Sequence, residues 1–118
     1  MDARLPKTER LSGEMSVARL FREGEGAQEG CLRCKYLRRG DDAPSRIVVS
    51  VPKRSFKRAV RRNLLKRRMR ESYRRQKDLL GPGFDVLFIY TSAEVLSYET
   101  VFAHMTALLT TVRDAANA

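Results

Sequence analysis

The chain has 118 residues, 42% of them apolar, and 24 Lys and Arg stand against 14 Asp and Glu for a formal net charge of +10. That length suits one domain over residues 1–118 with one modest core, and the apolar share excludes a disordered polycation. No apolar run approaches the roughly 20 residues that span a bilayer, and MDARLPKTER lacks the apolar stretch of a signal peptide, so a cytoplasmic, membrane-free protein is expected.

In chain order, the first ten residues are expected to be extended, because Pro6 opposes an early helix. Ser12 can cap a first helix in which Met15, Val17, Ala18, Leu20 and Phe21 recur at a spacing near 3.6, ending around Gly24. EGEGAQEG then reads as a polar loop, and CLRCKYLRR from Cys31 alternates well enough to read as a strand. Cys31 and Cys34 form a lone C-x-x-C in a chain with one histidine, which is too few Cys and His for a four-ligand zinc site. In a strand, positions three apart face opposite ways, so two separate reduced thiols are expected. GDDAPS is a turn cluster, and IVVSV from Ile47 reads as a short buried strand that Pro52 ends.

The stretch KRSFKRAVRRNLLKRRMRESYRRQK, residues 53–77, holds thirteen Lys or Arg and one acid, Glu71; the other 93 residues hold eleven cations and thirteen anions. The basicity is therefore local. Ser55 can serve as N-cap, and the absence of Gly or Pro before Gly81 allows a helix of about six turns. Leu65, Met69 and Tyr73 make one apolar stripe. Arg62, Asn63, Lys66, Arg67, Arg70, Arg74 and Lys77 fill a broad arc beside it, and Arg61, Arg68 and Arg75 form a second basic line. GPG breaks the helix, FDVLFIY is a strand with too little polarity for a solvated face, and a last helix starts near an N-cap at Ser97. On its apolar side lie Val101, Met105, Leu108, Leu109 and Val112, with His104 among them in a structural role. The order is helix, strand, strand, basic helix, strand, helix: a small α/β (α+β) sandwich with a sheet of three or four strands covered by helices.

Like charges at i, i+4, as in Arg58–Arg62, Arg62–Lys66, Lys66–Arg70 and Arg70–Arg74, each cost about 0.2–0.5 kcal/mol, and one glutamate cannot offset them. A solvated helix face normally mixes signs; this one does not. Phosphates of a nucleic acid supply the missing anions, and nine of the thirteen cations are Arg, whose forks match phosphate oxygens. Asn63 can bond a base edge or a sugar, or be an ordinary exposed amide. A membrane-surface helix would need a wide apolar face, and here the narrow stripe belongs to the core.

The segment resembles the protein subunit of bacterial ribonuclease P. The resemblance rests on S-V-P-K-R from Ser50, A-V at Ala59, R-N at Arg62, K-R at Lys66 and R-E at Arg70, with R-L at Arg10, L-F-R-E-G from Leu20, F-D-V and L-S-Y-E in the same order around them. It departs at Leu64, where the family carries a second Arg, at Val17, where the family carries an aromatic, and at SFKR, where a glycine is usual. The resemblance implies an α/β fold with a left-handed crossover through the basic helix. It also implies a ribonucleoprotein that removes the 5′ leader of precursor tRNA, with the chemistry in the RNA subunit and its Mg²⁺ ions. No cofactor is then bound by the protein, no protein residue is catalytic, and the partners are the ribonuclease P RNA and precursor tRNA, with no small-molecule substrate. The residues implied to bind RNA are Lys53, Arg54, Arg58, Arg62, Asn63, Lys66, Arg67 and Arg70. Those implied to face the leader are Phe21, Val17, and Lys35 or Tyr36; adjacent strand residues face opposite ways, and Phe21 serves equally as a core residue. The alternatives are a structural, ribosomal-type RNA-binding protein, an autonomous nuclease, and a DNA-binding helix.

Overall fold

Alternation along the strands gives this fold a sheet with two unlike faces. A computed structural model describes residues 5–118. Among the described residues the order is α1 (Glu14–Glu23), β1 (Glu25–Glu29), β2 (Leu32–Arg38), β3 (Arg46–Ser50), α2 (Ala59–Arg74), β4 (Phe84–Tyr90) and α3 (Tyr98–Ala116), with 3-10 turns at Lys7–Glu9 and Lys77–Leu79. The strands lie in the order β1-β2-β4-β3, antiparallel except for β3 and β4, which pair in parallel and are joined through α2. This is the expected α+β sandwich with four strands.

One face of the sheet carries Leu32, Cys34, Tyr36, Ile47, Val49, Phe84, Val86, Phe88 and Tyr90. They are buried in a single cluster with Leu65, Met69 and Tyr73 of α2 and Val101, Met105, Leu108, Leu109 and Val112 of α3. The spacing of those apolar residues on both helices is the cause: each stripe must bury itself, and the alternate strand positions supply the surface. On the other face lie Arg33, Lys35, Leu37, Arg46, Val48, Ser50, Asp85, Leu87 and Ile89, and α1 covers it only in part.

Several local expectations are corrected. EGEGAQEG is a strand over Glu25–Glu29, paired antiparallel with β2 from Glu25↔Tyr36 to Glu29↔Leu32. An edge strand needs backbone partners more than an apolar pattern, and Gly30, at φ 56°, makes the turn back into β2. Ser12 and Ser55 are not caps: Gly13 and Arg58 hold those positions, with no side-chain cap bond at either. Lys53–Ser55 forms a turn, and α2 is sixteen residues long, shorter than expected. Phe56 explains the delay: it is buried against Tyr90, ring centroids 5.9 Å apart, and anchors the chain before the helix begins. Ser97 does cap α3, its hydroxyl accepting from Thr100 N at 3.2 Å. The N-terminal stretch includes a 3-10 turn at Lys7–Glu9 before Arg10 pairs with Ile47; the expectation for residues 1–4 lies outside the described residues.

Both thiols are free, but they do not take opposite faces of the sheet. Cys31 lies in the turn before β2, outside the pleat, and both Cys31 and Cys34 are buried in the same cluster. Burial pushes both thiols up, Cys34 to about 12. His104 of α3 fixes this turn: Cys31 N donates to Nδ1 at 3.0 Å, and Cys31 Sγ lies 3.1 Å from the same atom.

Candidate nucleic-acid interface

Helix α2 divides its cations by what holds them. Leu65, Met69, Ser72 and Tyr73 are buried, as the stripe requires, and Ser72 donates its hydroxyl to Met69 O at 2.9 Å. Toward the C-terminal end the cations are tied within the fold. Glu71 accepts from Arg74 at 2.5 Å and from Arg75 at 3.1 Å, and these bonds, that from Arg74 first, hold its carboxyl below the usual range. The Arg75 guanidinium also lies 5.9 Å from the Tyr98 ring centroid. Arg68 donates to Leu96 O, so it clasps the loop before α3. Lys77 donates to the buried Glu9 at 2.6 Å. Of the Arg61, Arg68 and Arg75 line, two members therefore serve the fold.

Toward the N-terminal end the picture reverses. Lys53, Arg54, Arg58, Arg61 and Arg67 are exposed, Lys66 is half-buried, and none makes an ion pair with a described residue. Asn63 and Arg70 are exposed in the same stretch. Arg62 is half-buried and also braces the backbone, since its Nη1 donates to Phe56 O at 2.7 Å and Lys57 O at 2.8 Å. Those two bonds fasten the Lys53–Arg58 loop to the first turn of α2. At successive fourth positions, Arg62, Lys66 and Arg70 occupy one edge of the helix.

The second element is α1. Of its apolar residues only Leu20 is buried, in a small cluster with Leu11 and Leu87 that Leu37, Val48 and Ile89 flank. Phe21 is 55% exposed and Met15 86%. Phe21 is thus not a core residue. With Val17, Ala18, Leu11, Ser12, Gly13 and Val48 it lines an open groove of about 580 Å³ between α1 and the sheet. Gly24 ends α1 where no side chain fits: a Cβ there would lie 2.4 Å from Leu20 O and 2.9 Å from Tyr36 O. The close approach docks the end of α1 on β2.

The register resolves Lys35 against Tyr36. Lys35, paired with Gly26 and Leu87, lies on the α1 face and is half-buried. Tyr36 points into the closed core, donates its hydroxyl to Glu25 Oε2 at 3.0 Å and packs against Phe84, so it does not share a surface with Phe21.

Beneath the same face, Asp85 binds two guanidiniums: Arg39 Nη1 at 2.5 Å, and Arg46 at 2.9 and 2.8 Å. Burial pulls the Asp85 carboxyl up, but the bonds from Arg46 and Arg39 outweigh it and the pKa lies below the ordinary value. Arg39 also bonds Asp41, Phe84 O, Ala43 O and Pro44 O, so it organises the loop before β3. Among the described residues no group of three or more His, Cys, Asp or Glu is placed to hold a metal ion, and no helix is long and apolar enough to cross a membrane.

Sequence reasoning missed Arg33, Val48, Ser50 and Ile89 as surface on the α1 face, although the alternation of CLRCKYLRR already put Arg33 and Lys35 on one side. It also missed the Asp85 hub, whose partners are distant in the chain.

This geometry has close relatives. Residues 5–113 match the family described as Ribonuclease P. The ribonuclease P protein component of Thermotoga sp. (strain RQ2) is 39% identical over 83 residues, 70% of this chain and 69% of that protein. The Porphyromonas gingivalis (strain W83) component is 36% identical over 107 residues, 82% of this chain and 77% of that one. The solved RNase P protein from Thermotoga maritima superposes with a TM-score of 0.77 at 30% identity, covering 87% of this chain and 96% of that chain. The Staphylococcus aureus RNase P protein shares the fold, with a TM-score of 0.79 at 19% identity over 91% of this chain and 97% of that one. A sheet closed on one face and half-open on the other, a cationic helix in the β3–β4 crossover, and a match along nearly its whole length lead to one conclusion: the chain belongs to the ribonuclease P protein family, the protein component of an endoribonuclease.

Proposed function

We propose that this chain is the RNA-binding, non-catalytic subunit of a cytoplasmic ribonuclease P that removes the 5′ leader of precursor tRNA. Lys53, Arg54, Arg58, Asn63, Lys66, Arg67 and Arg70 meet phosphates of the ribonuclease P RNA and adjoining substrate, and Arg62 joins them with the part of its guanidinium that does not hold the loop. Phe21 and Val17 form the wall of the leader groove and Val48 its floor, with Lys35 on the same rung of the sheet beyond Leu87; an exposed ring and a cation suit unpaired nucleotides. The RNA subunit supplies the bond-breaking chemistry with Mg²⁺. This chain contributes affinity and orientation, and binds no cofactor of its own.

The observation that carries this reading is the contrast along α2: carboxylates and carbonyls hold Arg68, Arg74 and Arg75, while the cations from Lys53 to Arg67 stand without an internal carboxylate among the described residues, Arg62 alone of them being held by carbonyls. A lone glutamate leaves that charge for a polyanion to neutralise.

The test is cleavage of precursor tRNA by a bacterial ribonuclease P RNA at low Mg²⁺, with and without the purified chain. Faster leader removal with the chain, and none by the chain alone, is expected. No stimulation would favour a structural, ribosomal-type RNA-binding protein. Cleavage by the chain alone would make it a nuclease in its own right.

A further inference from the structure

Resting on the leader reading above, we propose that Arg33 sets how much leader the protein holds: with Lys35 it takes consecutive backbone phosphates of the unpaired strand on the half-open face of the sheet. The register places Gln28, Arg33, Ile89 and Ser50 side by side across all four strands. Paired residues project to the same side, so these four make one row on the face α1 covers only in part, about 14 Å long at ordinary strand spacing. The neighbouring rung carries Lys35 beside Leu87, which is buried in the cluster with Leu20 of α1. Lys35 and Arg33 are alternate residues of one strand, about 6.7 Å apart on the same side, a repeat suited to successive phosphates of an extended strand.

The charge around them is arranged accordingly. An acid directly across the strands from a cation would stabilise it within the sheet. The partners here are Gly26 for Lys35 and Gln28 for Arg33. The glutamates of β1 alternate onto the opposite side, where Glu25 accepts from the Tyr36 hydroxyl at 3.0 Å and Glu29 from the Thr111 hydroxyl at 3.0 Å. Neither Arg33 nor Lys35 makes an ion pair with a described residue, and Arg33 is exposed. The acids of the edge strand face away and the row stays electropositive. Half-buried Ile89 offers an apolar seat for a base, with the Gln28 amide and the Ser50 hydroxyl at the ends of the row.

The experiment uses the chain reconstituted with a bacterial ribonuclease P RNA, and precursor tRNAs whose leaders lengthen one nucleotide at a time. Wild-type affinity should rise with leader length to a plateau. Arg33→Ala should lose the last increment, about threefold at moderate salt for one phosphate contact, and should lower the salt slope by about 0.7 for the longer leaders. Arg33→Lys should restore most of it, and unchanged melting of both variants separates the effect from folding. An Arg33→Ala curve that overlays wild type at every length would overturn the role of Arg33 and leave the groove reading standing. A wild-type curve that is flat with length would overturn both.

Discussion

The two faces of the sheet are built from the same strands and do different work. The face toward α2 and α3 is sealed: aromatic and branched side chains from three strands meet two apolar helix stripes, and no cation of α2 enters. The face toward α1 is left unfinished. One helix, with one buried leucine, covers part of it; Val48, Ile89 and Lys35 stay half-buried, and Phe21 of that helix is exposed. Folding free energy comes mainly from the first face. The second leaves apolar and cationic surface uncovered in adjacent rungs, which folding alone does not require. Variants on the two faces should therefore separate stability from RNA affinity.

The largest expected effect is on the sealed face. Met69→Ala, at a fully buried site under α2, should cost about 2–5 kcal/mol in chemical denaturation. Next comes the Asp85 hub. Asp85→Asn should cost about 2 kcal/mol at neutral pH, less than a fully buried pair, because the Arg46 side chain is 38% exposed and Arg39 keeps Asp41. The folded pKa of Asp85 lies below its ordinary value, so this stability is fully present above the unfolded carboxylate range and is lost as pH falls through the folded pKa. Thermal melts from neutral to acid pH should show wild type and Asp85→Asn converging; a constant gap would remove the ion pair from the account.

Smaller still is the β1–β2 turn. Gly30→Ala forces a left-handed backbone at φ 56° on a residue with a Cβ, which would lie 2.4 Å from His104 Nδ1. A loss of about 1–2 kcal/mol is expected, partly recovered when His104→Ala is added; a double variant without coupling would mean the ring is not the obstacle. The smallest stability change belongs to the open face. Phe21→Ala should shift stability by less than about 0.5 kcal/mol, while weakening precursor tRNA binding by the holoenzyme. A large stability loss would return Phe21 to the core.

The sealed face was readable from the sequence because burial imposes a period, carried by the stripe of α2 and the apolar side of α3, and because FDVLFIY is an apolar run of strand length. The open face was only half readable. Phe21 and Val17 fit a core helix as well as a groove wall, and only the partial cover by α1 decides between them. Lys35 and Tyr36 could not be told apart before the register was known. β1 was hidden because a polar edge strand is held by backbone bonds that its side chains do not announce. The internal duties of Arg62 and Arg68 were hidden because their acceptors are backbone carbonyls, which have no signature in the residue pattern. The Asp85 hub joins residues 39, 46 and 85, a spacing that no local rule detects.

The central claim is that cations such as Lys66 and Arg67, which make no ion pair with a described residue, are kept for RNA, whereas Arg68, Arg74 and Arg75 are kept for the fold. The most direct test is the salt dependence of binding to ribonuclease P RNA for two double variants. Lys66→Ala/Arg67→Ala should flatten the slope by about 1.4–1.8 with little change in melting temperature, whereas Arg68→Ala/Arg75→Ala should lower the melting temperature and leave the slope near wild type. Equal slopes for the two variants would contradict the division of α2 on which this account rests.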